Sequence, residues 1–338
     1  MRSIHNNIKE DAGCYRSGYG PGMTQGDAAS IGDRRVDQAT VNVALVRRLL
    51  TGQFPQWADL PLAPVESGGT DHVVFRLGAD MAVRLPRAIC AIGMVEKEQR
   101  WLPRLAPLLP LPIPAVLGRG LPTDEYPWHW SVYRWLAGVN ASTEYIADPR
   151  RTAVELATFL TALRQIDATD GPIPDHSNSY RGVPIGDPRD SVASAARILP
   201  AIAALRGLVD TDAVAALWDA ALQAPAWDGP PTLIHGDLHN NNLLTINGRL
   251  SAVIDFGCLA VGDPACDLMV AWTYLPAESR TVFRETLQID DATWARGRIW
   301  GLSMSMPSPA DFADPNSTTA EWGHRHLDDL ITDHANDS

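Results

Sequence analysis

The sequence has 338 residues, 45% of them hydrophobic and 20% charged, and its 40 acidic and 28 basic residues give a formal net charge of −12. A chain this acidic is not expected to have nucleic acid or an anionic lipid surface as its main partner. No apolar run approaches the roughly eighteen charge-free residues of a membrane-spanning helix, so the composition indicates a soluble globular protein.

The N-terminal segment, residues 1–36, is rich in Gly, Asp, Asn and Ser and predicts a flexible tail. Arg2 and Lys9 are not followed by an apolar stretch, so no secretory signal is expected. The cysteines show neither CxxC spacing nor the density of a disulfide scaffold: Cys14, Cys90, Cys258 and Cys266. These features together predict a cytoplasmic protein with buried or inert thiols.

The first ordered elements follow the tail. A helical stripe through Leu45, Val46 and Leu49 predicts a packing helix that ends at Gly52. The segments VESGGTDHVVFRL and MAVRLP predict two strands joined by a turn at 78–80. A helix is then expected over VEKEQRWLPRL before a proline-rich stretch, and WSVYRWLAG predicts a buried strand that ends at Gly138.

The second half of the chain is predicted to be mainly helical. DPRRTAVELATFLTALRQI predicts a core helix opened by Asp148 and Pro149. Residues 171–190 are rich in Gly and Pro and predict a long loop of the kind that often lines a site. Alanine-rich helices are expected up to about Gln223, and TWARGRIWGL and TAEWGHRHLDDLI predict the closing helices.

A β-hairpin is predicted between these helical parts, because LLTI and LSAVID flank the turn dipeptide Asn247-Gly248. The loop before its first strand holds Asp237 and Asn242, and its second strand ends at Asp255. Antiparallel pairing brings Asn242 and Asp255 to the same end, which suits a shared metal ion. Phosphoryl transfer from ATP needs such an arrangement, with an aspartate near the attacking hydroxyl and magnesium ligands from two loops.

These motifs, HGDLHNNNLL followed by VIDFG, resemble the catalytic and metal-binding loops of the aminoglycoside phosphotransferase family, protein-kinase-like small-molecule kinases that include macrolide phosphotransferases. The resemblance implies that Asp237 is the catalytic aspartate, that Asn242 is a magnesium ligand and that Asp255 bridges magnesium to the phosphates. It also implies ATP (or GTP) and Mg²⁺ as cofactors. If the resemblance is set aside, the same pattern is compatible with Asp237 as a turn-capping residue and Asp255 as a strand-end residue.

The same resemblance implies a bilobal α+β protein-kinase-like fold with a small antiparallel-sheet N-lobe and a larger, mostly helical C-lobe. The expected organisation is a tail at 1–36, an N-lobe at 37–135 and a C-lobe at 136–338. In the N-lobe, Gly68 and Gly69 match the short nucleotide-covering loop, although a glycine pair can also mark a bulge or turn.

A cation on the nucleotide phosphates is also expected in the N-lobe. Arg84 stands where protein kinases keep a lysine, and its guanidinium can bind phosphate oxygens through two nitrogens. Its expected partner is Glu98, and Glu96 is the competing candidate. The alternative for either glutamate is a surface ion pair with no role in nucleotide binding.

The hinge between the lobes is matched by WSVYRWLAG, so adenine is expected to bind backbone groups near Tyr133, Arg134 and Trp135. The tryptophans around this strand, which also include Trp128 and Trp130, are expected to be core residues rather than base-stacking ones.

Supporting roles are expected for the neighbours of the catalytic loop. His235 is expected to brace the loop, and the resemblance implies that Asp267 stabilises it from beneath. Asp263 precedes Pro264 and predicts a helix N-cap. A zinc hydrolase built on His235, Asp237 and His239 is a weaker alternative, because a third ligand with zinc-like spacing is missing from the sequence.

The predicted function is phosphorylation of a hydroxyl group on a small molecule, with an aminoglycoside or macrolide antibiotic as the first candidate acceptor. Acidic loops could receive a cationic substrate, although many proteins are acidic for solubility alone. The alternatives are a kinase of a choline-, homoserine- or sugar-like metabolite, since one fold hosts many acceptors, and a non-catalytic nucleotide-binding regulator supported only by Arg84. The expected partners are the nucleotide and the acceptor, without nucleic acid or membrane.

Overall fold

The three-dimensional structure is a computed structural model. It describes residues 41–65, 71–88, 91–190, 193–306 and 318–337. The tail predicted for residues 1–36 therefore lies outside the described residues. Within the described ranges, no helix combines the length and the apolar character needed to cross a membrane.

An antiparallel sheet of five strands dominates the N-terminal part of the described chain, in the order β1-β2-β3-β5-β4. The strands are β1 (Leu62–Pro64), β2 (His72–Leu77), β3 (Met81–Pro86), β4 (Val116–Gly120) and β5 (Trp130–Arg134). The predicted turn between β2 and β3 is confirmed, and Gly78 adopts φ +59° there. The sequence pattern does not predict β1 and β4, which contain proline or glycine and form by pairing with β2 and β5.

Helix α1 (Val43–Gln53) shares one hydrophobic cluster with the sheet, including Val83 and Leu85 of β3. Asn42 caps the helix by accepting the Leu45 N–H at 3.0 Å. The prediction that Gly52 ends the helix is wrong by one residue, because the backbone ladder continues through Gln53.

Helix α2 (Ile92–Leu105) lies toward the other side of β3. Side chains alternate along a strand, so Val83 and Leu85 point toward α1 while Arg84 points toward α2, where it meets Glu98. The predicted buried face of α2 is confirmed, since Trp101, Leu102 and Leu105 are all buried. Trp130 is likewise fully buried, as predicted for a core residue.

Helices form most of the C-terminal part. They are α3 (Pro149–Arg164), α4 (Ala195–Ala204), α5 (Thr211–Gln223), α6 (Val270–Thr273), α7 (Ala277–Leu287), α8 (Asp291–Met304) and α9 (Thr318–Asp337). As predicted, Asp148 caps α3 by accepting the Arg151 N–H at 3.0 Å, and Pro149 occupies its first turn. A small antiparallel sheet followed by a larger helical lobe confirms the predicted bilobal α+β fold.

Two small sheets carry the loops of interest between the helices. β6 (Val139–Asn140), β8 (Leu243–Ile246) and β9 (Arg249–Val253) form one, and β7 (Leu233–Ile234) pairs with β10 (Ala260–Val261) in the other. The segments 235–242 and 254–259 connect the two sheets, so both run side by side. The predicted boundary between lobes, 135/136, falls in the connection from β5 to β6.

Candidate active site

The hairpin of β8 and β9 brings two of the predicted site residues together. Its turn residues Asn247 and Gly248 have φ of 53° and 72°, the left-handed conformation that a two-residue hairpin turn of this kind requires. Beyond the paired strands, the Ile254 N–H donates to the Asn242 carbonyl at 2.9 Å. Asn242 and Asp255 therefore lie at the same end of the hairpin, as the sequence pattern predicts.

Asp237 is held by neighbouring polar groups. Arg181 Nη1 forms an ion pair with Oδ1 of Asp237, and His239 Nε2 lies 3.6 Å from the same oxygen. Asn242 Nδ2 donates to Oδ2 at 3.1 Å. Burial acts to raise the pKa of Asp237, but the charges of Arg181 and His239 outweigh it and hold the pKa well below its ordinary value. The carboxylate is therefore ionised at neutral pH and fixed in direction.

Asn242 and Asp255 present oxygen atoms that suit a magnesium ion. Asn242 Nδ2 donates to the carbonyl and carboxylate of Asp237, at 2.8 and 3.1 Å, which leaves Asn242 Oδ1 without a hydrogen bond to the described residues. Asp255 accepts from Arg84 at 2.6 Å through Oδ1, while its Oδ2 has no such bond in the described chain. Carboxylate and amide oxygens are the ligands that Mg²⁺ prefers. The donor set therefore fits this ion.

Glu98 connects the two lobes at this point. Arg84 Nη1 lies 2.8 Å from both of its carboxylate oxygens, and the Tyr133 hydroxyl donates to Oε2 at 2.5 Å. The Phe256 N–H, next to Asp255, donates to Oε1 at 3.0 Å. These bonds satisfy a carboxylate that is only 1% exposed, which otherwise would be costly to bury.

The structure distinguishes between the two glutamates considered for Arg84. Glu96 is 58% exposed and pairs with His129 Nδ1 at 2.6 Å, whereas Glu98 faces the cleft. Arg84 is therefore joined to Glu98 on one side and to Asp255 on the other.

The connection after β5, where adenine is expected, already uses two of its N–H groups. Arg134 N–H donates to Ala115 O at 2.9 Å, and Trp135 N–H donates to Asp80 O at 2.7 Å. The Arg76 guanidinium lies over the Trp135 ring, 4.0 Å from the centroid of the ring. A base bound here would have to pair with other backbone groups of the connection.

His235 and Asp267 support the catalytic loop from inside. Asp267 accepts the N–H groups of His235 and Gly236 at 2.7 and 2.8 Å. His235 Nδ1 faces the Asp237 N–H at 3.2 Å, and Nε2 donates to Ile254 O at 3.0 Å, because a carbonyl can only accept. Both ring nitrogens are engaged with backbone, so His235 is not placed to bind zinc.

Loss of the Asp267 carboxylate should destabilise the fold. In Asp267→Ala the buried N–H groups of His235 and Gly236 lose their acceptor, which costs about 1–3 kcal/mol for each. We expect the free energy of unfolding in urea to fall by about 2–4 kcal/mol. Asp219→Ala removes an exposed carboxylate from α5 and is the matched control, expected to change stability by less than about 0.5 kcal/mol. Equal stability of the two variants would contradict the supporting role.

Asp263 has the predicted N-cap role and a second one. It accepts the Ala265 N–H at 2.9 Å at the start of the 3₁₀ segment Pro264–Met269, which confirms the cap. It also forms a buried ion pair with Arg296 of α8, with Oδ2 2.7 Å from Nε. The sequence pattern does not predict this pair.

The residue that sequence analysis misses is Arg181, which pairs with Asp237. It lies in the long loop between α3 and α4, which is expected to line a site, but its position there carries no motif. The same loop places Ser177 3.3 Å from Lys97 Nζ of α2, and Lys97 also donates to Gly257 O at 3.0 Å. This loop therefore contacts both α2 and Asp237.

Some of the predicted residues lie outside the described part of the chain, namely Gly68, Gly69, Cys14 and Cys90. The other two cysteines are free thiols. Burial raises the pKa of Cys258 to about 12 and raises that of Cys266 well above its ordinary value, so both thiols are protonated at neutral pH.

A cavity of about 860 Å³ adjoins the catalytic loop on the C-lobe side. Its described walls come from residues 141–146, the loop residues 239–241, Tyr274, Met304 and helix α9. A volume of this size is in the range of small-molecule sites. The cavity therefore provides space for a small molecule beside residues 239–241 of the loop that also holds Asp237.

The carboxylates in the walls of this cavity already have partners. Asp329 pairs with Arg280 at 2.7 Å, and Glu144 accepts from the Thr245 hydroxyl at 2.5 Å. Arg325 adds a positive charge to the same walls. Tyrosine, isoleucine and methionine side chains supply the apolar part of the lining.

Comparison with known proteins gives one family and one fold. A family model described as the phosphotransferase enzyme family matches residues 61–300. Wild-type aminoglycoside 2'-phosphotransferase-IIIa in complex with GDP is 20% identical, with a TM-score of 0.61 over 88% of this chain and 100% of that one. Macrolide 2'-phosphotransferase MphH from Brachybacterium faecium, as apoenzyme, is 22% identical, with a TM-score of 0.53 over 84% and 98%. None of the curated protein sequences gives a significant match.

Proposed function

Because the chain belongs to the phosphotransferase enzyme family, we propose that it transfers the γ-phosphoryl group of ATP or GTP to a hydroxyl group of a small molecule, with Mg²⁺ as cofactor. The observation that carries the proposal is the convergence of Asp237, Asn242 and Asp255 around one end of a hairpin. Arg84 reaches the same place from the N-lobe sheet, 2.6 Å from Asp255. Two acids, an amide and a cation are the groups that this reaction requires.

Each side chain has a separate role in the proposed reaction. Asn242 and Asp255 would hold the magnesium ion, which would supply positive charge to offset that of the nucleotide phosphates. Asp237 accepts a hydrogen bond from the acceptor hydroxyl and so directs its oxygen at the γ-phosphorus. As the new P–O bond forms, the bond to the β-phosphate oxygen breaks, the nucleoside diphosphate leaves and the hydroxyl proton passes to Asp237. Arg181 and His239 keep Asp237 ionised before that transfer.

The walls of the cavity favour one kind of antibiotic acceptor over another. An aminoglycoside carries several ammonium groups, and its recognition needs unpaired carboxylates. Here the charge of Asp329 is paired with that of Arg280, and Arg325 adds a positive charge. Glu144 accepts from the neutral Thr245 hydroxyl and is the one carboxylate of the described walls without a cationic partner. A macrolide-type acceptor, with a large apolar ring and few charges, suits the described lining better.

The function is tested by measuring nucleoside diphosphate release with a macrolide (erythromycin), an aminoglycoside (kanamycin), choline and homoserine as acceptors, with and without Mg²⁺. We expect Mg²⁺-dependent turnover, fastest with the macrolide. Preference for kanamycin would overturn the argument from charge but leave the kinase proposal standing. Nucleotide binding with background release for every acceptor would instead favour the regulator.

A further inference from the structure

The guanidinium of Arg84 has few donors left for a nucleotide. Nη1 lies 2.8 Å from both oxygens of Glu98, and Nη2 lies 2.6 Å from Asp255 Oδ1 and 3.1 Å from His72 Nδ1. Each of these nitrogens carries two hydrogens and faces two acceptors. Only Nε–H of Arg84 has no acceptor among the described residues. A phosphate bound here would need a further donor or would have to displace Asp255.

The contact between Arg84 and His72 determines which nitrogen of His72 carries the proton. A guanidinium can donate but cannot accept, so His72 Nδ1 must be the acceptor in this contact. The imidazole is therefore neutral, and its hydrogen is on Nε2. Burial, followed by the positive charge of Arg84, lowers the pKa of His72 and stabilises this neutral form.

The Nε2–H group of His72 has no hydrogen-bond partner in the described part of the chain. The residue is only 6% exposed, so water does not satisfy the group from bulk solvent. A buried donor without an acceptor is costly and rare in proteins, and it commonly marks a position where a ligand or ordered water binds. His72 also lies on β2 two residues from Val74, the ladder partner of Arg84, so His72 and Arg84 share one face of the sheet.

From these contacts we propose that His72 is a nucleotide-positioning residue whose Nε2–H donates a hydrogen bond to a phosphate oxygen of bound ATP or GTP. It supplies a second donor beside Nε–H, the one N–H of Arg84 that is not directed at Glu98, Asp255 or His72 itself, and Arg84 in turn fixes its tautomer. The proposal rests on the proposed function, since it requires a nucleotide in the cleft. It extends that function by one residue that no motif marks.

The test compares nucleotides with and without phosphate. Binding of MgATP, MgADP and adenosine is measured by titration calorimetry for the wild type, His72→Phe and His72→Gln. Phenylalanine keeps the ring but has no donor, so we expect MgATP and MgADP to bind about 10- to 150-fold more weakly, as for one lost hydrogen bond to a charged group, with adenosine unchanged. Glutamine can accept from Arg84 through Oε1 and donate through Nε2, so it should restore most of the affinity.

Each outcome bears on a different statement. Unchanged phosphate-dependent binding in His72→Phe, or equal weakening for adenosine, would overturn the role of His72 while leaving the kinase proposal intact. Failure of the wild type to bind any nucleotide would overturn the proposed function itself. Should His72→Phe not fold, ¹⁵N NMR of the wild type decides the matter. We expect the His72 proton on Nε2 and a shift of this signal on addition of MgADP; a proton on Nδ1, or no shift, would refute the proposal.

Discussion

Replacing Asp237 with asparagine should lower kcat by about 10²- to 10⁴-fold, the usual contribution of a group that takes up a proton in the transition state. Asparagine has nearly the same shape, and its amide oxygen can still accept from Arg181. It loses the hydrogen bond from Asn242 Nδ2 to Oδ2, but the bond from that Nδ2 to the backbone carbonyl of residue 237 remains, so the loop should keep its conformation. It cannot, however, accept the hydroxyl proton as a carboxylate does. We expect the affinity for MgATP to stay within about twofold, because Asp237 acts on the acceptor rather than on the nucleotide.

Steady-state kinetics with a saturating acceptor and calorimetry with MgATP measure these two effects separately. Asp228→Asn is the matched control, since Asp228 is an exposed carboxylate in the loop before β7 and should leave both quantities unchanged. A large loss of MgATP affinity in Asp237→Asn with normal kcat would reverse the assignment and place Asp237 on the nucleotide.

In Asp255→Asn the magnesium requirement should change. Removing a charged ligand should reduce kcat/KM by at least about 100-fold, since even the loss of a residue that only hydrogen-bonds to a metal ligand costs about 10- to 100-fold. The free metal concentration for half-maximal activity should rise as well, because one negative charge is lost from the site. Nucleotide affinity should fall together with kcat, because the magnesium ion that bridges the protein to the phosphates would be held less tightly.

Two measurements report metal binding. Activity is titrated with Mg²⁺, and the binding of Mn²⁺ to the protein is followed by electron paramagnetic resonance. Glu96→Gln serves as the control because Glu96 is an exposed carboxylate of α2 that pairs with His129 instead of Arg84. An unaltered metal dependence in Asp255→Asn would show that the ion binds elsewhere, and the ligand assignment would then be wrong.

The hairpin shows why part of this site can be predicted from sequence. Its geometry depends on a local signal, the turn dipeptide Asn247-Gly248, whose residues adopt the positive φ that this turn requires. Once the register of two adjacent strands is known, the residues at their ends are placed as well. The placement of Asn242 and Asp255 therefore follows from the consecutive residues 242–255, and Asp237 precedes them in the same loop.

Glu98 is an intermediate case. The family resemblance implies Glu98, because it precedes Leu102 and Leu105 on the predicted helix, but it leaves Glu96 as a competitor. The choice is made by packing, since only Glu98 can meet Arg84, Tyr133 and the Phe256 N–H together.

Local sequence signals are sufficient for the elements whose residues are close together along the chain: the β2–β3 turn, the cap of α3, the hairpin and the acids it carries. Contacts between distant segments follow only from the folded chain, as for Arg181 with Asp237, His72 with Arg84 and Asp263 with Arg296. Turns and caps depend on backbone conformation over a few residues, whereas a buried charged side chain meets its partner only when separate segments pack and exclude water.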